Sequence, residues 1–152
     1  MADLTLGQFA QMLMKASEES DAHMHAALER VAEHIEQDAK GRIGHYNGAV
    51  GPFAAWAPLA PATMQDRASK GYPADEPLLR TGELRDSIGK EVAHDEAVIG
   101  SDSDVAVAQE LGTVTIPPRS FLGAAGAAAL PMIQREFGIA VVNAVRGESV
   151  KR

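Results

Sequence analysis

The chain has 152 residues and a mass of 16.0 kDa, enough for one domain with a modest core. A hydrophobic share of 45% beside 23% charged residues belongs to a folded chain, not a disordered one. The formal net charge of −7 argues against a sequence-reading nucleic-acid binder, which needs a basic footprint, and the lack of cysteine excludes a disulfide framework, thiol catalysis and Cys-ligated metal.

The start Met1-Ala2-Asp3-Leu4 has neither the basic opening nor the apolar core of a secretory leader. The chain is therefore expected to stay in the compartment where it is made, and a cysteine-free composition is compatible with a reducing cytoplasm. Thr5-Leu6-Gly7-Gln8 fits a capping box, a hydroxyl at the cap and an amide three residues later. Behind it Leu6, Phe9, Leu13 and Ala16 recur at helical spacing, and Met24, Leu28, Val31 and Ile35 keep the same stripe. The polar run Ser17 to Asp21 predicts either a break or a solvated stretch. Glu18, Glu29, Glu33 and Glu36 take the opposite face, and Gly41 and Gly44 supply the stop. The reading is one long amphipathic helix over residues 1–43 whose stripe packs the core; binding a partner is its other possible use.

Residues 44–79 hold five of the eight prolines (Pro52, Pro58, Pro61, Pro73, Pro77) and four of the seven aromatics (Tyr46, Phe53, Trp56, Tyr72). Proline and glycine at this density forbid a long regular element, while the aromatics are too costly to leave in water. One short helix is predicted, from Pro61 through Met64 and Arg67 to Gly71. A loop of this length in a compact domain is uncommon unless it does something, so it reads as an arm or flap that contacts a neighbour.

Residues 80–122 alternate short pieces. Thr81 is placed to cap a helical turn with Leu84 and Ile88 on one face. Lys90–His94 and Ala97–Gly100 read as a hairpin joined at Asp95-Glu96, with Val92 and Val98 inward. The cap-rich Ser101–Asp104 precedes a helix from Val105 to Leu111 that ends at Gly112. Thr113–Ile116 is a strand or an extended edge, held extended by Pro117-Pro118. A helix over residues 123–146 carries Met132, Ile133, Phe137, Val141 and Val145, with Pro131 in its first turn or kinking it, and residues 147–152 form a tail. The longest apolar segment, Gly123–Leu130, is far short of the roughly 18 residues of a membrane span. Its glycines and alanines suit a packed helix start or a close contact between subunits. The whole is an α+β domain: long N- and C-terminal helices on a small, mostly antiparallel sheet, with a long Pro/Gly/aromatic loop.

Chemistry-bearing patterns are sparse. His23 and His25 stand two apart on a helix and point in different directions; His34-Ile35-Glu36 lacks the second histidine of the zincin pattern; His45 and His94 stand alone. No Gly-x-Ser-x-Gly elbow and no P-loop occurs. Asp95, Glu96, Asp102 and Asp104 fail the EF-hand spacing and suit turns and caps. No catalytic, metal or cofactor-binding residues are assigned. Arg119 is the lone charge between Thr113 and Leu130, and a forked pair with Glu110 across the Gly112 turn is its expected role.

Three segments carry a resemblance. They are Trp56–Thr63; Pro77–Ile88, with Thr81-Gly82-Glu83-Leu84-Arg85 inside it; and Gln109-Glu110-Leu111-Gly112-Thr113 followed by Ile116-Pro117-Pro118-Arg119-Ser120-Phe121-Leu122-Gly123. In this order they resemble the virion-morphogenesis and tail-completion proteins of tailed bacteriophages, over roughly Tyr46 to Ala125. Two positions depart from the pattern. Val107 stands where relatives often carry an aromatic, and Ser120 replaces a proline common before the Phe-Leu pair.

The resemblance implies a non-enzymatic, ring-forming subunit, a hexamer, in the neck or tail-completion region of the virion, assembled in the host cytoplasm. Its partners would be copies of itself, neighbouring neck and tail proteins, and DNA sliding through the channel without sequence-specific binding; no membrane is involved. The positions carried over as assembly residues are Trp56, Leu59, Thr81, Gly82, Leu84, Arg85, Ile88, Glu110, Gly112, Pro117, Pro118, Arg119, Phe121 and Leu122. The stretch Glu83–Glu110 holds eight acids against Arg85 and Lys90, a balance of 2 − 8 = −6, which suits a channel lining that DNA must not stick to. The rival reading is a cytoplasmic adaptor or regulator that binds a partner through its N-terminal helix.

Overall fold

A computed structural model describes residues 5–148 and 150; Met1–Leu4 and, from the expected tail, positions 149, 151 and 152 lie outside the described residues. The capping box forms as expected. Gln8 N–H donates to Thr5 Oγ1 at 3.3 Å and Thr5 N–H donates to Gln8 Oε1 at 2.9 Å. Helix α1 then runs from Leu6 to Arg42 without interruption. The polar run does not break it. Ser17 and Glu18 are solvated, and Lys15 pairs with Glu19 one turn on, at 3.6 Å. Ile43 and Gly44, the latter at φ 95°, turn the chain away.

Only the later part of α1 enters the core. His23, Ala27, Val31, Ala32 and Ala39 are buried, whereas Leu6, Phe9 and Leu13 stay exposed, against the expectation that the whole stripe packs inward. The reason is length. The C-terminal helix α5, Leu122–Arg146, runs antiparallel to α1: Arg30 pairs with Glu136 at 2.9 Å, and His23 bonds to the carbonyl of Glu148, just past the end of α5. Beyond that point α1 has no neighbour among the described residues to pack on. Alanines let the helices approach closely, Ala27 and Ala32 on α1, Ala129, Ala140 and Ala144 on α5. The glycine–alanine run is thus a packed helix start, with Ala124, Ala125 and Ala129 buried in their own chain. Pro131 lies well inside α5 with its ring exposed, so it costs one backbone hydrogen bond but no packing.

Between these helices lie α2 (Pro61–Ser69), α3 (Glu83–Asp86), the antiparallel strands β1 (Ile88–Val92) and β2 (Ala97–Ser101), and α4 (Asp104–Leu111). The hairpin register pairs Ile88 with Ser101 and Val92 with Ala97. Its turn, Ala93–Glu96, is closed by Ala93 N–H donating to Glu96 O at 2.7 Å. Both strands therefore lie nearer α3 and α4 than expected, and Val98 sits opposite Glu91 and faces solvent; Ile99 takes the inward place. Gly82, not Thr81, is the N-cap of α3, although Thr81 Oγ1 still accepts from Glu83 N–H at 3.4 Å. Thr113–Ile116 is no strand. Thr113 N–H donates to Ile116 O at 2.8 Å and Thr113 Oγ1 accepts from Ile116 N–H at 3.1 Å, so the segment folds back on itself.

The core gathers Ala39, Ile43, Trp56, Leu78, Leu84, Ile88, Ala106, Phe121 and Ala125. Trp56 is only 6% exposed, so the long loop is packed into its own subunit and is not a free arm. Polar bonds tie it down as well. Arg67 donates to the carbonyls of Glu76 at 2.6 Å and Leu79 at 3.2 Å, Tyr46 Oη accepts from Leu59 N–H at 3.1 Å, and Arg80 stacks over Tyr72.

Candidate functional site

A 25-residue helix that starts inside the protein must satisfy four N–H groups that no earlier turn can accept. Helix α5 has no acidic residue in its first turn. The acceptor comes from the end of α4. Glu110 Oε2 accepts from Phe121 N–H at 2.8 Å and Leu122 N–H at 3.1 Å; Oε1 accepts from Gly123 N–H at 2.8 Å and from the Ser120 hydroxyl. Ser120 Oγ in turn accepts from Ala124 N–H at 3.2 Å. One carboxylate and one hydroxyl thus close the whole helix start, with the negative charge at the positive end of the dipole.

Two glycines make this approach possible. A Cβ on Gly123 would stand 2.5 Å from Phe53 Cζ and 2.9 Å from Glu110 Oε1. Gly112, where α4 ends, adopts φ 75°, ψ 172°, and a Cβ there would meet Ile116 O and Pro118 N at 2.9 Å. That backbone conformation and that crowding leave room only for glycine.

Arg119 does not pair with Glu110. Its guanidinium reaches the other way, Nε and Nη2 donating to Ala57 O at 3.2 and 3.0 Å and Nη2 to Pro58 O at 3.2 Å, while its backbone N–H donates to Gln109 O at 2.6 Å. Glu110 is already spent on α5, and the irregular stretch at Ala57-Pro58 offers two carbonyls that no secondary structure uses. Withdrawal from water pulls the Arg119 pKa below the usual arginine value, opposed by Tyr46 and aided by Arg67; it remains a cation. Trp56 completes the clasp, its indole N–H donating to Ser120 O at 3.1 Å. Residues 56–58 and 119–120 therefore hold each other by one Trp bond one way and an Arg fork the other.

The segments meet on one face. Trp56, Leu84, Ile88, Phe121 and Leu122 build the core beneath, while Leu59, Thr81, Gly82, Pro117 and Arg119 line a groove of about 920 Å³ above. Pro118 is exposed beside that groove. Arg85 is left out: it is solvated and, among the described residues, pairs only with neighbouring Asp86 at 3.2 Å. The chain matches the family model described as the phage virion morphogenesis family over residues 4–135. It belongs to that family. The match reaches beyond the segments quoted above, through α1 at one side and half of α5 at the other. Comparison with curated proteins and with solved structures found no match.

In this virion morphogenesis protein the polar side chains of the site bond to backbone groups and join distant stretches of the chain. Ser120, Gly123 and Phe53 stood out in the sequence as a departure from the family pattern, the start of a small-residue run and a loop aromatic, without their partners; the Ala57-Pro58 carbonyls left no mark. The one available signal was a long helix with no acidic residue of its own at the start. Both histidines near the middle of α1 have partners, His23 the Glu148 carbonyl and His25 the His94 carbonyl at 3.3 Å. Among the described residues no three His, Asp or Glu side chains gather as a metal site, and no helix is long and apolar enough to cross a membrane.

Proposed function

We propose that this phage virion morphogenesis protein is a ring-forming structural subunit of the neck or tail-completion region, joining head and tail around the DNA channel without catalysis. The observation that carries this reading is the use to which the family segments are put. Their polar side chains, Glu110, Arg119 and Ser120, are consumed in bonds to backbone, which ties the Trp56–Thr63 segment and the start of α5 into one rigid face. A groove lined by Leu59, Thr81 and Pro117 lies open on that face and suits a segment of a neighbouring subunit or tail protein.

The acidic stretch supports the channel. Glu83, Asp86, Glu91, Asp95, Glu96, Asp102 and Asp104 are all exposed, and a surface of that sign repels phosphate. Electron microscopy of the purified full chain tests the reading. Closed rings with a central opening, a hexamer by the family likeness, are the expected result. Monomers at every concentration up to the solubility limit would overturn it.

A further inference from the structure

The end of the molecule remote from the motif face carries an apolar surface that the fold leaves uncovered. From Thr5 to Met14 helix α1 has no charged side chain, and Leu6, Phe9 and Leu13 are 85%, 52% and 55% exposed. Met12 and Met14 are exposed on its other sides. From Phe137 to Val145 helix α5 is equally free of charge, with Val141, Val142 and Val145 exposed. The two stretches share one end, because Glu148 bonds to His23 and Gly147 lies beside Glu19. Residues 6–18 of α1 therefore project past α5 by roughly 20 Å at 1.5 Å per residue.

We propose that this end docks on a second copy of this chain, the projecting α1 of one subunit lying against α1 and α5 of the next. Three observations name that occupant. Leu6, Phe9, Leu13, Ala16, Ser20, His23 and Ala27 alternate spacings of three and four, a coiled-coil seam. Its later members, His23 and Ala27, are already buried where α1 meets α5, so the exposed part continues an interface between helices of this same chain. The surface has no charge with which to select a foreign partner, and uncharged apolar patches on identical subunits are complementary to one another.

This rests on the ring reading and names a surface through which its subunits pair, and the test separates the two. The chain has no cysteine, so Leu13→Cys in the full-length protein can be linked by a short bis-maleimide only across subunits; Glu91→Cys, on the exposed face of β1, is the control. Leu13→Cys is expected to give covalent dimers and Glu91→Cys none. The double variant Phe9→Glu, Leu13→Glu is expected to elute as a monomer in light scattering while keeping its helical circular dichroism, since neither position packs in the subunit core. An oligomeric wild type whose Leu13→Cys form does not link, or whose double variant stays oligomeric, overturns this proposal and leaves the ring standing. A monomeric wild type overturns both.

Discussion

Glu110 and Arg119 stand close in space yet work on different parts of the chain. The carboxylate closes the start of α5, and the guanidinium grips Ala57 and Pro58. Glu110→Gln keeps the shape but removes the charge and turns one acceptor into a donor facing N–H groups. A loss of about 1–3 kcal/mol in urea unfolding is expected. Arg119→Lys replaces a fork by a single bond and should cost about 1–2 kcal/mol. With no direct bond between them, the two losses should add to within about 0.5 kcal/mol in a double-mutant cycle. A coupling well above that would restore the ion pair expected from sequence. The sequence marked Arg119 as occupied because it is the lone charge in a long neutral stretch. Its partners left no such mark, since a backbone carbonyl looks the same under every residue.

At the scale of elements, the helices were legible and their neighbours were not. The capping box, Pro61 at the start of α2, and Gly112 at the end of α4 all act locally, and each boundary follows from them. The stripe from Leu6 to Ile35 was equally clear, yet periodicity says which face is apolar and not what covers it. That is why Leu6, Phe9 and Leu13 lie outside the core. Val98 was misplaced because it cannot share a face with Val92: the register pairs Val92 with Ala97 and Val98 with Glu91, and neighbouring strand positions point to opposite faces. The long loop shows the same limit: its aromatics had to be buried, and the burial is in its own subunit. Trp56→Ala should therefore cost the isolated subunit about 3–5 kcal/mol and lower its melting temperature by well over 5 °C. A variant that melts like wild type but fails to assemble would make the loop an arm after all.

The whole molecule divides into two ends of different character. One end is a rigid face where Trp56, Glu110, Arg119 and Phe121 lock the family segments together. The other is an uncharged pair of helix ends with little polar chemistry of its own. A building block needs both, one part that keeps its shape and one that finds its copies. The acidic balance of −6 between Glu83 and Glu110 adds a surface that repels phosphate, as the proposed channel requires. That division matches a subunit of a particle better than it matches an adaptor that meets one partner through one helix.

The most direct measurement is electron microscopy of particles from infections in which this protein is not made. The account predicts filled heads and complete tails that lie apart, rejoined when the wild-type chain is supplied and not when Phe9→Glu, Leu13→Glu is supplied. Joined, infectious particles formed without the protein would contradict it.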